Sequence, residues 1–349
     1  MAAVLTGRDV TVAYEQTPST WGTAIAPTAL DGLIVTSVGP LVPVAEMHPD
    51  DAPGYDHVEV IDKCRVTVNP EIVMPLRFTG RCWSFIAHCM GLDNKTGEED
   101  PYTHTMTMNS AIDGSDSFGT LAVEVGTLIH EWPSVKVTGF TLEGPDDKGF
   151  VTLTVRTIAD DLLLGADATT DGDDFDNVTY MQMDSAMGKK VPSGALRFRM
   201  NTDAGALDAD DNVAISSFSL SMDRGFEPEW VNRQAYADEW KTAEPIESGS
   251  PVVTLGITLN DYSALTHNEA YQDETTMKAE LYFGYDATHY IQIDLPLMKY
   301  MPPEIAVNSN ARIPQQLNFQ MMKASANPTG MSSTIMRMVM LDEQTNAYE

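Results

Sequence analysis

Two stretches of the chain repeat one pattern of strands, and that repetition limits the folds open to it more than any other feature. The first comprises THTMTMN (103–109), VKVTGFTLEG (135–144) and VTLTVRT (151–157); the second comprises ALRFRMN (195–201), VAISSFSLSM (213–222) and VTLGITL (253–259), in the same order. In the first members apolar side chains fall on alternate residues, Met106 and Met108 against Phe198 and Met200, which is the period of a half-buried strand. The middle members change phase partway. Val135 and Val137 set one phase and Phe140 and Leu142 the other, with the switch at Gly139; Val213 and Ile215 give way to Phe218 and Leu220 at the aligned Ser217. A β-bulge produces such a switch, because its extra residue changes the face to which the following side chains point. In the third members Val151, Leu153 and Val155 alternate with threonines, as do Val253, Leu255, Ile257 and Leu259. The pattern predicts an internal duplication of a three-strand antiparallel unit. The alternative is that two β-rich halves share alternation by coincidence.

The 349 residues are enough for two cores or one large one. Around the repeat we expect an N-terminal extended arm over 1–55, where Thr, Pro and Gly punctuate the chain and periodicity is short-lived. A first half spans 56–165, an acidic linker loop 166–190 and a second half 191–349. The fold class is mainly β. Pro70 and Pro75 break the strand region HVEVIDKCRVTVNPEIVMPLRF that opens the first half. RCWSFIAHCMG (81–91) places Cys82, Phe85, Ile86, Cys89 and Met90 at helical spacing, so a short amphipathic helix stopped by Gly91 is predicted. In the second half, the 223–250 insertion puts Tyr236 and Trp240 one turn apart, compatible with a short docked helix. NEAYQDETTMKAELYFG (268–284) reads as helix and then strand, and IQIDLPLMKY (291–300), RIPQQLNFQMMKA (312–324) and STIMRMVML (333–341) supply further strands.

Charge excludes several functions. With 51 acidic against 21 basic side chains the formal charge is −30, so the surface repels polyanions and a sequence-reading nucleic-acid binder is excluded. No apolar run approaches the roughly 20 residues that cross a bilayer, and no signal peptide opens the chain, which points to synthesis in a cytoplasm and to no membrane partner. Cys64, Cys82 and Cys89 are core thiols rather than a disulfide framework; on one helix Cys82 and Cys89 stand about 10 Å apart along the axis.

Candidate chemical groups are sparse. Asp167, Thr169, Asp171 and Gly172 match the first, third, fifth and sixth positions of a calcium loop, but the twelfth is Val178 where a bidentate Glu is needed. His88 beside Cys89, and His130 beside Glu131, are sequence neighbours that point apart on a helix or strand. The doublets Asp160-Asp161 and Asp173-Asp174 are common in so acidic a chain and do not mark a glycosidase. No GxSxG, GxxxxGK[ST] or HExxH occurs. The residues assign no catalytic, cofactor-binding or metal site, and the chain reads as a non-enzyme without cofactors. Of its 20 methionines, Met106, Met108, Met200, Met298, Met321, Met336, Met338 and Met340 follow the buried strand phase as flexible packing, and some could fill interfaces between copies.

The chain resembles the tail tube proteins (major tail proteins) of long-tailed, non-contractile bacteriophages. The resemblance rests on WGTA (21–24) within a Pro- and Thr-rich arm, on TLEG…VTLTV (141–155), and on VAISSFSLSMDRGFEP (213–228) followed by a second hairpin strand. It implies an antiparallel β-sandwich or half-barrel with flanking helices, assembled into rings that stack as a hollow tube in the virion. It also implies contacts with a tape measure protein and other tail proteins, and transient passage of DNA. A duplicated fold implies three chains per pseudo-hexameric ring; a single fold per chain implies six. A β-rich binding or adhesion module, a capsid-decorating protein and a head–tail joining protein are the alternatives.

Overall fold

In the computed structural model of the chain, the described residues are 7, 9–16, 20–49, 61–91, 93–108, 117–145, 149–180, 188–230, 242–262, 265–286, 289–305, 313–342, 344 and 348. Strands β1 (Val10–Glu15), β2 (Ser37–Gly39), β3 (Val44–Pro49), β4 (Ile61–Thr67) and β5 (Glu71–Pro75) precede helix α1 (Cys82–Met90). Next come β6 (Asp93–Thr96), β7 (Tyr102–Thr107), β8 (Phe118–Val125), β9 (Leu128–Gly144), β10 (Thr152–Ala159), β11 (Leu163–Leu164) and helix α2 (Gly172–Asn177). The remainder holds β12 (Leu196–Thr202), β13 (Ser217–Asp223), β14 (Phe226–Trp230), β15 (Thr242–Glu247) and β16 (Val252–Leu259). Helix α3 (Thr266–Gln272), β17 (Thr276–Gly284), β18 (Tyr290–Tyr300), β19 (Glu304–Ile305), β20 (Gln315–Met321) and β21 (Arg337–Asp342) complete it.

The alternation read from the sequence becomes alternation of burial. In β13, Phe218, Leu220 and Met222 are buried while the serines between them are half-buried. One antiparallel layer runs β5, β10, β9, β13, β16, β20. The other runs β12, β17, β18, β21, β7, β6. The layers join at β18, whose first half pairs with β21 and whose Met298, Lys299 and Tyr300 pair with β20. Pro296 lies where β18 slips its register against β17, a position at which a residue without an N–H is tolerated. Phe218 of one layer meets Phe283 of the other with ring centroids 5.8 Å apart. The buried side chains of both layers belong to one continuous core, and the architecture is an antiparallel β-sandwich.

The two hairpins of the repeat are arranged symmetrically. Leu142 of β9 lies opposite Leu220 of β13, and these are the residues that the repeat aligns. Outward from that pair, Leu153 of β10 faces Leu142 and Met74, while Leu255 of β16 faces Leu220 and Phe319. Equivalent register continues to Ile72 opposite Val155 and Leu317 opposite Ile257. The phase switch has a distinct physical form in each hairpin. In β9 the register slips at Thr138, just before Gly139, as a bulge. In the second hairpin β13 begins at Ser217, and the preceding Val213 donates its N–H to Phe198 O of β12 instead. The first members of the repeat occupy different places: β7 lies between β6 and β21, whereas β12 pairs with β17.

Helix α1 forms where the spacing placed it and stops at Gly91, whose φ of 95° suits glycine and whose N–H closes on Ala87 O. It is not amphipathic in its setting, since all nine residues are buried. It fills the sandwich between β9 of one layer and β7 of the other. Two of its polar side chains bond inside: Ser84 Oγ donates to Gln16 Oε1 at 2.8 Å, and Tyr14 Oη lies 2.7 Å from His88 Nδ1.

Part of the stretch expected as an arm is sheet. β1 pairs along its length with β8, burying Val12, Ala13 and Tyr14, and Asp31 to Leu33 return along its other side. Its six-residue run is too short to stand out among the surrounding Thr and Pro residues. Within the expected acidic linker, α2 is nucleated by a capping box between Asp171 and Asp174, and its Phe175 packs on Ala13 and Ala122. The predicted helix around Tyr236 and Trp240, residues 56–60 and the side chain of Cys64 lie outside the described residues.

Candidate assembly interface

Two antiparallel ribbons, β3 with β4 and β14 with β15, stand outside both layers of the sandwich. Both carry β-branched side chains in solvent: Val42 and Val44 at the first are 62% and 54% exposed, and Ile246 on the second is 58% exposed. Such ribbons present unpaired backbone and apolar surface together, the combination that pairs with another chain.

The second ribbon has a rigid root, to which two of the segments that carry the sequence resemblance, WGTA (21–24) and VAISSFSLSMDRGFEP (213–228), contribute Trp21, Arg224 and Phe226. Arg224, in the turn between β13 and β14, donates its N–H to Thr138 O at the β9 bulge. Its buried guanidinium stands 5.8 Å from the Phe226 ring centroid and 3.4 Å from Glu247 of β15. Burial pulls the Arg224 pKa below its usual value, and Glu247 pulls it back. Lys136, buried on β9, sits 5.0 Å over the same Phe226 ring and 2.7 Å from Glu244 of β15. Trp21 of WGTA packs edge-on against Phe118 at 5.3 Å and donates its indole N–H to Thr242 O at 3.0 Å. Two buried cations and two half-buried carboxylates thus fix the ribbon's base, because removing either carboxylate would strand a buried cation.

The sequence-level chemical candidates are separated by the fold. His88 is buried against Tyr14, and burial foremost, then the Arg81 charge, lowers its pKa to about 4. Cys82 and Cys89 are buried free thiols whose pKa values burial raises to about 11 and about 12, far from the reactive range. Glu131 turns inward, away from the partly exposed His130, and accepts from the Thr169 and Thr170 N–H groups at 2.9 and 2.8 Å and from the Thr170 hydroxyl at 2.5 Å. That carboxylate holds the start of the acidic segment. Asp171 and Asp174 accept from each other's backbone N–H, Asp161 accepts from Leu162 N–H, and Asp173 O accepts from Asn177. Among the described residues no group of three or more His, Cys, Asp or Glu could hold a metal ion. The eight methionines that follow the buried strand phase are buried in the core, Met108 and Met336 just outside the ends of β7 and β21.

One buried polar cluster is marked by no sequence motif. His104 Nδ1 lies 2.7 Å from Asp93 Oδ2, and its Nε2 lies 3.2 Å from Asp342 Oδ1 and donates to Gln344 O at 3.0 Å. Tyr348 donates its hydroxyl to Asp342 at 2.6 Å and its N–H to Asp93 at 3.0 Å, and Thr79 donates to Asp342 at 3.0 Å. Burial opposes a charge on His104, but hydrogen bonds to Asp342 and Asp93, with their charges, outweigh it and raise the pKa to about 9. The cluster clamps β6, β7 and β21 to Tyr348, and its fully buried imidazole is closed to substrate. Only the shared buried phase of His104, Met106 and Met108 hinted at its place.

No protein-family model matches the chain, and no curated protein matches it. Solved structures similar to it include a chain described as "Tail of empty GTA particle computed with helical refinement, C6 symmetry", at 12% identity and a TM-score of 0.28, covering 38% of this chain and 93% of that one. Similarity at that level does not establish a shared fold. No described helix is long and apolar enough to cross a membrane.

Proposed function

We propose that the chain is a structural virion protein that polymerises into stacked rings, forming the hollow tail tube through which phage DNA passes. The observation that carries this reading is the pair of ribbons standing outside a fully formed core, with Val44 and Ile246 in solvent. The exposed side chains at these ribbons are not covered by the described residues of the sandwich, whereas a neighbouring copy would cover them and complete their backbone pairing. The symmetric register about Leu142 and Leu220 supports three chains that present six similar units per ring; six chains per ring is the alternative. The −30 charge supports a tube wall that repels phosphates, so that DNA slides without adhering. The tape measure protein and other tail proteins are the further partners this role requires, and no catalytic step belongs to it.

Sedimentation velocity across a range of concentrations tests the reading. The 38.2 kDa chain should grow into much larger species as concentration rises, and a Val44→Asp, Ile246→Asp double variant should remain smaller at the same concentration. Sedimentation as a single 38.2 kDa species throughout contradicts it.

A further inference from the structure

The acidity of the chain makes one cleft anomalous. Residues 189–192 run as an extended segment between the end of β5 and the start of β10: Phe78 N–H donates to Lys189 O, Val191 N–H to Leu76 O, and Val151 N–H to Val191 O. Val191 is buried, and Lys189, Lys190 and Pro192 are exposed. With Phe78, Phe150 and Tyr285 they line a cleft of about 320 Å³. Phe78 forms a buried floor 5.9 Å from the Tyr285 ring, while Phe150 and Tyr285 stand 49% and 41% exposed as walls. Both ammonium groups are held over this apolar surface. Lys189 Nζ donates to Tyr285 Oη at 2.6 Å and lies 4.6 Å over that ring, and Lys190 Nζ lies 5.2 Å over the ring of Phe150.

Most described cations are already committed to carboxylates, as in Arg81 with Asp31, Lys136 with Glu244, Lys299 with Glu274 and Arg337 with Asp294. Among the described residues neither Lys189 nor Lys190 has an acidic partner. A lysine held over an aromatic ring keeps its charge available to an anion arriving from solvent. Exposed aromatic walls beside it favour a ligand with apolar character as well.

We infer that this cleft receives an acidic segment of a second copy of the chain, its carboxylates on Lys189 and Lys190 and an apolar side chain between Phe150 and Tyr285. Charge complementarity selects the occupant: each copy carries 51 acidic side chains against 21 basic ones, so another copy brings many carboxylates and few competing cations. The inference deepens the assembly reading and rests on it, placing one contact between subunits at a defined site away from the ribbons.

The test is zero-length carbodiimide cross-linking of isotope-light and isotope-heavy full-length protein, mixed before assembly, with sedimentation run in parallel. Amide bonds joining Lys189 or Lys190 of one isotope to Asp or Glu of the other are expected. A Lys189→Glu, Lys190→Glu variant should need roughly tenfold more protein to assemble to the same extent. Its thermal melting should be unchanged, because both side chains are exposed, and Lys→Arg at both positions should preserve assembly. Assembly with these lysines cross-linked only within one isotope, or not at all, overturns the cleft contact and leaves the assembly reading standing. Absence of any larger species overturns both.

Discussion

His104 and His88 are both buried, but their pKa values move in opposite directions, and they give the protein two pH limbs. At His104 the folded pKa of about 9 exceeds the ordinary 6.5, so the folded state holds a proton that the unfolded chain releases. Its contribution is fully present below pH about 6.5 and is lost as pH rises towards about 9. At His88 the folded pKa is about 4, so the unfolded chain takes up a proton first and stability falls as pH drops from about 6.5 towards about 4. Urea midpoints should therefore decline on both sides. Asp342→Asn removes one of the two carboxylates on His104 and should shrink the alkaline decline and end it at lower pH, while the acid limb stays. An alkaline limb identical in both proteins would contradict this account of His104. Neither residue could be assigned from sequence, because the partners of His104 lie 11 and 238 positions away (104 − 93 and 342 − 104) and no local spacing links them.

Among the elements, those that periodicity alone determines were legible. The β9 and β10 hairpin, the β13 and β16 hairpin, α1 with its Gly91 stop, and the helix-to-strand change at α3 and β17 all follow from alternation and capping. β1 was not legible, because six residues in a Thr- and Pro-rich context carry little periodicity and its order comes from pairing with β8. The full burial of α1 was hidden for a related reason: Trp83, Ala87 and His88 complete an apolar surround only when β9 and β7 close over opposite sides. The bulge in β9 was legible at Gly139, and the structure supplies its cause. A Cβ there would stand 2.4 Å from Met222 O and 2.6 Å from the Arg156 guanidinium, which donates to that same carbonyl. Gly139→Ala should cost about 1–3 kcal/mol, read as a lower urea midpoint with little change in slope. Unchanged stability would mean that β9 and β13 can separate at the bulge without loss.

At the scale of the whole molecule, the mainly β class follows from alternation spread over most of the chain, yet the single continuous core and the way the layers join do not. That depends on β18, where Pro296 and a slipped register carry one strand from β21 to β20. Nor do the ribbons show in the sequence as projecting elements, since a strand that leaves the sandwich alternates like one that stays. Their exposure, the symmetric register of the two hairpins and the −30 charge are the observations on which the proposed tube role rests. The most direct test is electron microscopy of the purified full-length protein at high concentration, with class averages of end-on views. The account predicts hollow stacked rings, three-fold when chain identity is resolved and near six-fold in outline; solid aggregates, open filaments without a lumen, or isolated monomers would contradict it.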